Sequence, residues 1–243
     1  VPARSVKLRK MLIWFCKTNL QEKKSHIQLS ASVLALPGMR LSAFITGITW
    51  NFWKNRAFRS SGSALSMISI CQMIWMVFYL AAELYAKALE ENETIRNEIR
   101  RKAEEDMPIL AECGGYLYLL KELEDENGTG YEMAGVFSGK GYKKGKNSHF
   151  GYITVRTEKD SLYLKAGETI KGHEFHYWES TQDENELKMQ AKKPTGKRSW
   201  PCVTVKNQVM AGFPHLYYPS LEGFGERFVQ ACDRYRMKRK RQQ

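Results

Sequence analysis

A chain of 243 residues with 43% hydrophobic and 26% charged side chains can bury a substantial core, which excludes a disordered protein. Its net charge of +12 would suggest nucleic acid or an anionic surface, but the excess is local. Residues 1–82 carry eleven Lys or Arg against one acid, Glu22, whereas residues 83–243 carry 27 basic and 25 acidic side chains, so nucleic acid is not an expected partner. Five cysteines (Cys16, Cys71, Cys113, Cys202, Cys232) form no Cys-x-x-Cys pair, which argues for reduced thiols in a cytoplasmic compartment and against a zinc site. No signal peptide is evident at Val1.

In chain order, Ala64 to Ala82 comes first to notice: nineteen residues without a charge, behind Arg56 and Arg59. Alone it reads as a membrane-spanning candidate with its N-terminal end cytoplasmic. Two features oppose that reading. The run passes straight into Glu83, and four of the six tryptophans (Trp14, Trp50, Trp53, Trp75) crowd the same acid-poor stretch. A membrane is therefore not the expected partner either.

From Glu83 the pattern is that of an α/β protein. Leu84, Ala88, Ile95 and Ile99 predict one or two amphipathic helices over 83–105. A buried strand is expected over Met107 to Ala111, then a helix from Gly115 to about Glu124, the strand-turn-helix rhythm of a parallel sheet. Short strands are expected around Tyr131 to Phe137, Gly151 to Arg156, Glu168 to Tyr177 and Cys202 to Lys206, as a mixed or antiparallel extension. A last helix is predicted over about Leu221 to Tyr235, with residues 236–243 as a basic, solvated tail.

The most informative string is Pro108-Ile-Leu-Ala-Glu-Cys-Gly-Gly-Tyr-Leu-Tyr-Leu119, an apolar run broken at Cys113 and resumed at helical spacing. Cys113 thus stands on a strand-to-helix elbow. The turn exposes the side chain, the glycines let a substrate approach the backbone, and the following helix offers free amides and a positive dipole end. A thiolate is favoured there. The plainer alternative is a buried cysteine acting as a small hydrophobe; the Cys-Gly-Gly context favours a nucleophile.

Ala111-Glu-Cys-Gly-Gly, Met133-Ala-Gly-Val, Gly151-Tyr, Gly172-His-Glu-Phe-His-Tyr and His215-Leu-Tyr-Tyr-Pro-Ser occur in order along the chain. Together they resemble the C-terminal glutamine amidotransferase domain of cobyrinate a,c-diamide synthases over about residues 83–235, with cobyric acid synthase and related tetrapyrrole ligases as close alternatives. The resemblance implies a flavodoxin-like three-layer α/β domain, its N-terminal strands lost or distorted here. It also implies that Cys113 forms a glutamyl thioester with His215 as its acid-base partner, and that Gly114 and Gly115 border the oxyanion. His173, Glu174 and His176 would line the active site or contact the corrinoid. They lack a further ligand to complete a metal shell, so no metal is expected.

Glutamine and a corrinoid are the implied substrates. ATP and Mg2+ are expected only for an N-terminal domain, since no Gly-x-x-x-x-Gly-Lys-Ser/Thr string occurs, and no cofactor is expected on this part. A homodimer is carried as one option for assembly. Generic triad amidotransferases have a glutamate two residues after the histidine, where this chain has Tyr217. The competing readings are a non-catalytic, membrane-anchored basic protein and a degenerate regulatory domain.

Where the resembled family has a strand and a glycine-rich turn completing the oxyanion site, this chain has Phe78-Tyr-Leu-Ala-Ala. Reading the codons of Met73-Ile-Trp-Met-Val one base earlier yields Asp at Met73/Ile74 and Trp75/Met76 and Gly at Met76/Val77. The same slip at Trp50/Asn51 and Trp53/Lys54 yields Glu. Residues from about Ser30 to Ala82 are thus expected to be an out-of-frame translation, which accounts jointly for missing acids, excess tryptophan and the apolar run. The nucleotide sequence of codons 30–83 decides it, and peptides confirming those codons in frame would refute it. If the facing turn is absent, glutamine hydrolysis by this chain should be about 100- to 1000-fold below that of an intact domain. A steady-state glutaminase assay reads this directly, and a full rate that Cys113→Ala abolishes would contradict it.

Overall fold

The structure, a computed structural model, describes residues 86–87, 89–144, 149–181, 187–195 and 198–242. The division at residue 82 and the apolar run Ala64 to Ala82 lie outside these. Among the described residues no helix is long and apolar enough to cross a membrane.

Helical residues at 86–87 and 89–90 lead into α1, Glu93–Glu104, which Asn92 caps by accepting the Ile95 amide at 3.3 Å. Ile99 and Ala103 are buried on its inner side, and the buried Arg96 reaches Glu132 at 2.9 Å and the Met133 carbonyl at 3.3 Å. A turn through Asp106, at φ 65°, sends the chain into β1, Ile109–Glu112, all four residues of which are buried. Side chains alternate across a strand. Ile109 and Ala111 join a core with α1 and the helix after the elbow, whereas Leu110 joins a second core with Phe224, Phe228 and Val229 of the C-terminal helix. A strand covered on both faces makes the three layers expected of this α/β class.

The helix after Cys113, α2, spans only Gly114–Leu119, a correction to the expected end near Glu124. Leu120 turns extended, and β2 (Glu122–Glu124) pairs antiparallel with β3 (Gly130–Glu132). The cause is the turn between them. Asp125 accepts from the amides of Asn127 and Thr129 at 2.8 and 2.9 Å, and Gly128 takes φ 80°, so local turn chemistry overrides the helical spacing of the leucines. The strand expected to continue to Phe137 also stops, at Glu132. Residues 133–137 instead satisfy the carbonyls at the end of α2: the amides of Ala134, Gly135 and Phe137 bond to Tyr118, Leu120 and Leu119 at 2.8–3.0 Å.

The remaining elements are β4 (Lys140–Lys143), β5 (His149–Arg156), β6 (Thr169–His176), β7 (Trp178–Ser180), β8 (Leu187–Lys192), β9 (Ser199–Lys206), β10 (Val209–Gly212), β11 (His215–Leu216) and α3 (Phe224–Lys240). A four-stranded sheet has the order β3-β2-β4-β7, and a seven-stranded sheet the order β1-β10-β9-β8-β5-β6-β11. In the larger sheet β1 and β10 run parallel and every other pair is antiparallel. The final helix continues through the residues read as a tail, with Lys238, Arg239 and Lys240 in its last turn, where the dipole favours cations.

Only Phe213 and Pro214 separate β10 from β11, yet these strands are second and last in the order. Five spacings of about 4.8 Å in a flat sheet would need about 24 Å, whereas three virtual bonds of 3.8 Å reach about 11 Å. The sheet must therefore curl, and it returns β11 to the end of β1. The close pairing of β10 with β9 leaves no room for a side chain at Gly212, since a Cβ there would lie 2.2 Å from the Cys202 carbonyl oxygen and 2.9 Å from Val203 Cα. Gly212→Ala should lower unfolding free energy by about 1–3 kcal/mol, measured by urea titration; an unchanged midpoint would contradict this packing.

Candidate active site

The elbow is built from backbone. Cys113 takes φ 52° and ψ −114° as the residue before α2, a conformation that costs a non-glycine residue about 1–3 kcal/mol. Its amide donates to the Gly212 carbonyl at 2.8 Å, and its carbonyl accepts from Leu117 at 3.1 Å, so bonds on both sides hold the strained residue. The thiol is half-buried. Gly114 and Gly115 form the first turn of α2, where amides have no partner within the helix.

The curl brings His215 to this elbow. His215 lies on β11 opposite His173 of β6, and β11 approaches so closely that a Cβ on Gly172 would stand 2.9 Å from the His215 carbonyl oxygen. The imidazole is buried and in side-chain hydrogen-bonding contact with Cys113. Its Nδ1 is 3.4 Å from Oε2 of Glu112. Burial opposes a charge on the ring, but the contacts with Cys113 and Glu112 outweigh it and push the pKa up to about 10.

Glu112 is the residue that sequence reasoning missed. Its Oε1 accepts from the Leu216 amide at 3.2 Å and from the Tyr218 hydroxyl at 2.6 Å, and the side chain is 7% exposed. The signal was present within the Ala111-Glu-Cys-Gly-Gly string, where the acid precedes the nucleophile. Tyr217, where an acid was sought, is exposed at the surface with its amide bonded to the Lys171 carbonyl at 2.7 Å.

His173, Glu174 and His176 do not act as one cluster, because β6 alternates its side chains. His173 is half-buried between Phe150 and Tyr152, with ring centroids 5.8 and 5.3 Å away. Glu174 and His176 point to the other face and are buried. Trp200 Nε1 donates to Glu174 at 3.1 Å, and His176 sets Nδ1 2.6 Å from the Trp178 carbonyl while stacking on Phe213 at 4.1 Å. Among the described residues no group of three His, Cys, Asp or Glu is arranged to hold a metal.

Residues 81–221 match the CobB/CobQ-like glutamine amidotransferase domain. The chain belongs to this family. The match takes in the elbow, the β6 string and His215. Among curated proteins, the chain is 36% identical over 154 residues to a cobyrinate a,c-diamide synthase of Caldanaerobacter subterraneus subsp. tengcongensis, covering 63% of this chain and 34% of that one. It is 36% identical over 150 residues to a protein of the same name from Picrophilus torridus, covering 62% and 32%. The chain therefore spans about a third of the length of these relatives. A glutamine amidotransferase structure from Thermotoga maritima aligns with a TM-score of 0.40 and 12% identity over 67% of this chain and 62% of that one.

The amidotransferase domain carries one carboxyl group that weakens it at neutral pH. Burial pushes Glu174 up to about 7 from an ordinary 4.5, more than its bond from Trp200 lowers it. The unfolded chain ionises this group first, so its cost to stability grows as pH rises from about 4.5 and is complete above about 7. Glu174→Gln should therefore raise stability at pH 8 by about 1–3 kcal/mol and change it little at pH 4.5. Chemical denaturation at the two pH values checks this, and equal effects at both would refute it.

Proposed function

We propose that the chain is the glutamine amidotransferase part of an ATP-dependent ligase that amidates the a and c acetate side chains of cobyrinate in cobalamin biosynthesis. The observation that carries the reading is the contact of Cys113, on a strained elbow, with a buried His215 brought from the far end of the curled sheet. Cysteine supplies the nucleophile and histidine the proton shuttle. The Cys113 proton passes to His215 before substrate is attacked, and the Cys113 sulfur then attacks the glutamine carboxamide carbon. The C–N bond then breaks, the nitrogen takes that proton and leaves as ammonia, and a glutamyl thioester remains. Water, deprotonated by His215, attacks the thioester and releases glutamate and the thiol. The Gly114 amide at the start of α2 donates to the oxyanion in both halves of the reaction.

The corrinoid is inferred from the names of the relatives, and a cytoplasmic setting from the widely spaced cysteines with no Cys-x-x-Cys pair. The resemblance implies that ATP and Mg2+ activate its carboxylates, and we assign both to a portion beyond the third of those relatives that this chain spans. Of the β6 string we assign the substrate contact to His173, beside His215 and flanked by exposed Phe150 and Tyr152; Glu174 and His176 are buried on the other face of the strand.

The electrophilic glutamine analogue 6-diazo-5-oxo-norleucine tests the reading. Mass spectrometry should find a single adduct on Cys113, with L-glutamine protecting and Cys113→Ala abolishing it. A folded protein whose Cys113 stays unmodified would overturn the assignment.

A further inference from the structure

We propose that Glu112, the residue immediately before the nucleophile, is the acid that orients His215 and balances its charge. It is a positioning residue acting through the imidazole, and the assignment rests on Cys113 and His215 being the reacting pair. The generic position for such an acid, two residues beyond the histidine, is occupied by exposed Tyr217. Glu112 reaches the same ring from a different element, 3.4 Å from Nδ1.

Three observations make this more than proximity. The carboxylate cannot swing away, because its Oε1 accepts from the Leu216 amide at 3.2 Å and the Tyr218 hydroxyl at 2.6 Å. Oε2 is thereby directed at the imidazole from a site excluded from water. Glu112 also occupies the Nδ1 side of the ring, which leaves Nε2 for the thiol on the adjacent residue. A carboxylate facing Nδ1 selects the tautomer with its proton there, so Nε2 carries the lone pair that accepts from Cys113. That proton moves before substrate arrives, so that in the resting pair Nε2 carries N–H, the ring is imidazolium and the sulfur is thiolate. Glu112 keeps its charge and takes no proton. The raised His215 pKa agrees, and the other groups acting on that ring are Cys113 at the elbow and His173, Glu174 and His176 on β6.

A purely structural tie between β1 and β11 would use Oε1 alone, and Glu112→Gln separates the two roles. The amide oxygen can still accept from Leu216 and Tyr218, but its NH2 now faces Nδ1 as a donor and drives the ring to the tautomer with its proton on Nε2, toward the thiol. The experiment measures the rate of iodoacetamide alkylation at the Cys113 peptide from pH 5 to 9. The proteins compared are wild type, Glu112→Gln, Glu112→Asp and His215→Asn, each with its thermal midpoint.

At pH 6.5 we expect Glu112→Gln to react about 10- to 100-fold more slowly than wild type, close to His215→Asn. Glu112→Asp should recover part of the rate, and the differences should close by pH 9. A Glu112→Gln profile superimposable on wild type, with His215→Asn still shifted, overturns the proposal. Should Glu112→Gln not fold, nitrogen-15 NMR of wild-type His215 decides, with an imidazolium expected at pH 8 and a neutral ring carrying its proton on Nε2 refuting the role. Iodoacetamide needs no glutamine site, so failure of the glutamine analogue alongside a Glu112-dependent profile would sink the glutamine reading and leave Glu112 in place. Normal analogue labelling with a Glu112-independent profile would do the reverse.

Discussion

The site depends on one buried carboxylate at the place where a curled sheet meets its own beginning. Glu112 ends β1, and the partners of its carboxylate follow β10: the ring of His215, the amide of Leu216 and the hydroxyl of Tyr218. An isolated carboxylate at 7% exposure would cost several kcal/mol of desolvation. Here the two donors and the cationic ring offset that cost, and the same donors restrict the side chain to one orientation. The pair contributes geometry more than net stability, because replacing a buried pair by apolar groups is often neutral whereas removing one partner is not.

Two buried acids in this domain show how partners decide charge. Glu112 faces an imidazole that Cys113, and after it Glu112, hold in the cationic form against burial, with a pKa of about 10. Glu174, buried to a similar degree on β6, has the indole N–H of Trp200 as its donor and is pushed up to about 7. A neutral donor satisfies a lone pair without balancing the charge, so burial dominates at Glu174 and pairing dominates at His215.

The elbow was legible because its causes are local: an apolar run, a cysteine, two glycines and a resumed helical period all lie within twelve residues. Its positive φ and its place ahead of α2 follow from that string. The length of α2 was not legible from leucine spacing, since Asp125 and Gly128 end the helix by forming a hairpin turn, a competing signal also present in the sequence. The contact of Glu112 with His215 was less accessible still. It joins residues more than a hundred positions apart, and it exists because β10 and β11 sit at distant places in one sheet with two residues between them. No periodicity encodes that closure. The search for an acid near His215 went to Tyr217 because local spacing was the available guide, whereas the curl supplies the acid from the opposite edge. Likewise His173, Glu174 and His176 look equivalent as a string, and strand alternation divides them between a surface beside His215 and a core behind it.

The glycines within these strings act by the absence of a side chain. Gly172 opens the β6 string, and its missing Cβ leaves room for the His215 carbonyl oxygen; Gly212 closes β10, and its own carbonyl receives the Cys113 amide while its missing Cβ leaves room for β9. Each holds one member of the reacting pair through backbone alone. A methyl group at Gly172 would move β11 by tenths of an ångström, and one at Gly212 would have to part β10 from β9 by considerably more. A shift of that size at Gly172 would act directly on the 3.4 Å approach of His215 to Glu112, since that distance is set by where the β11 backbone lies. The motif positions flanking Cys113 and His215 are thus constrained by the same requirement as Glu112: that two distant strands arrive at one point and stay there.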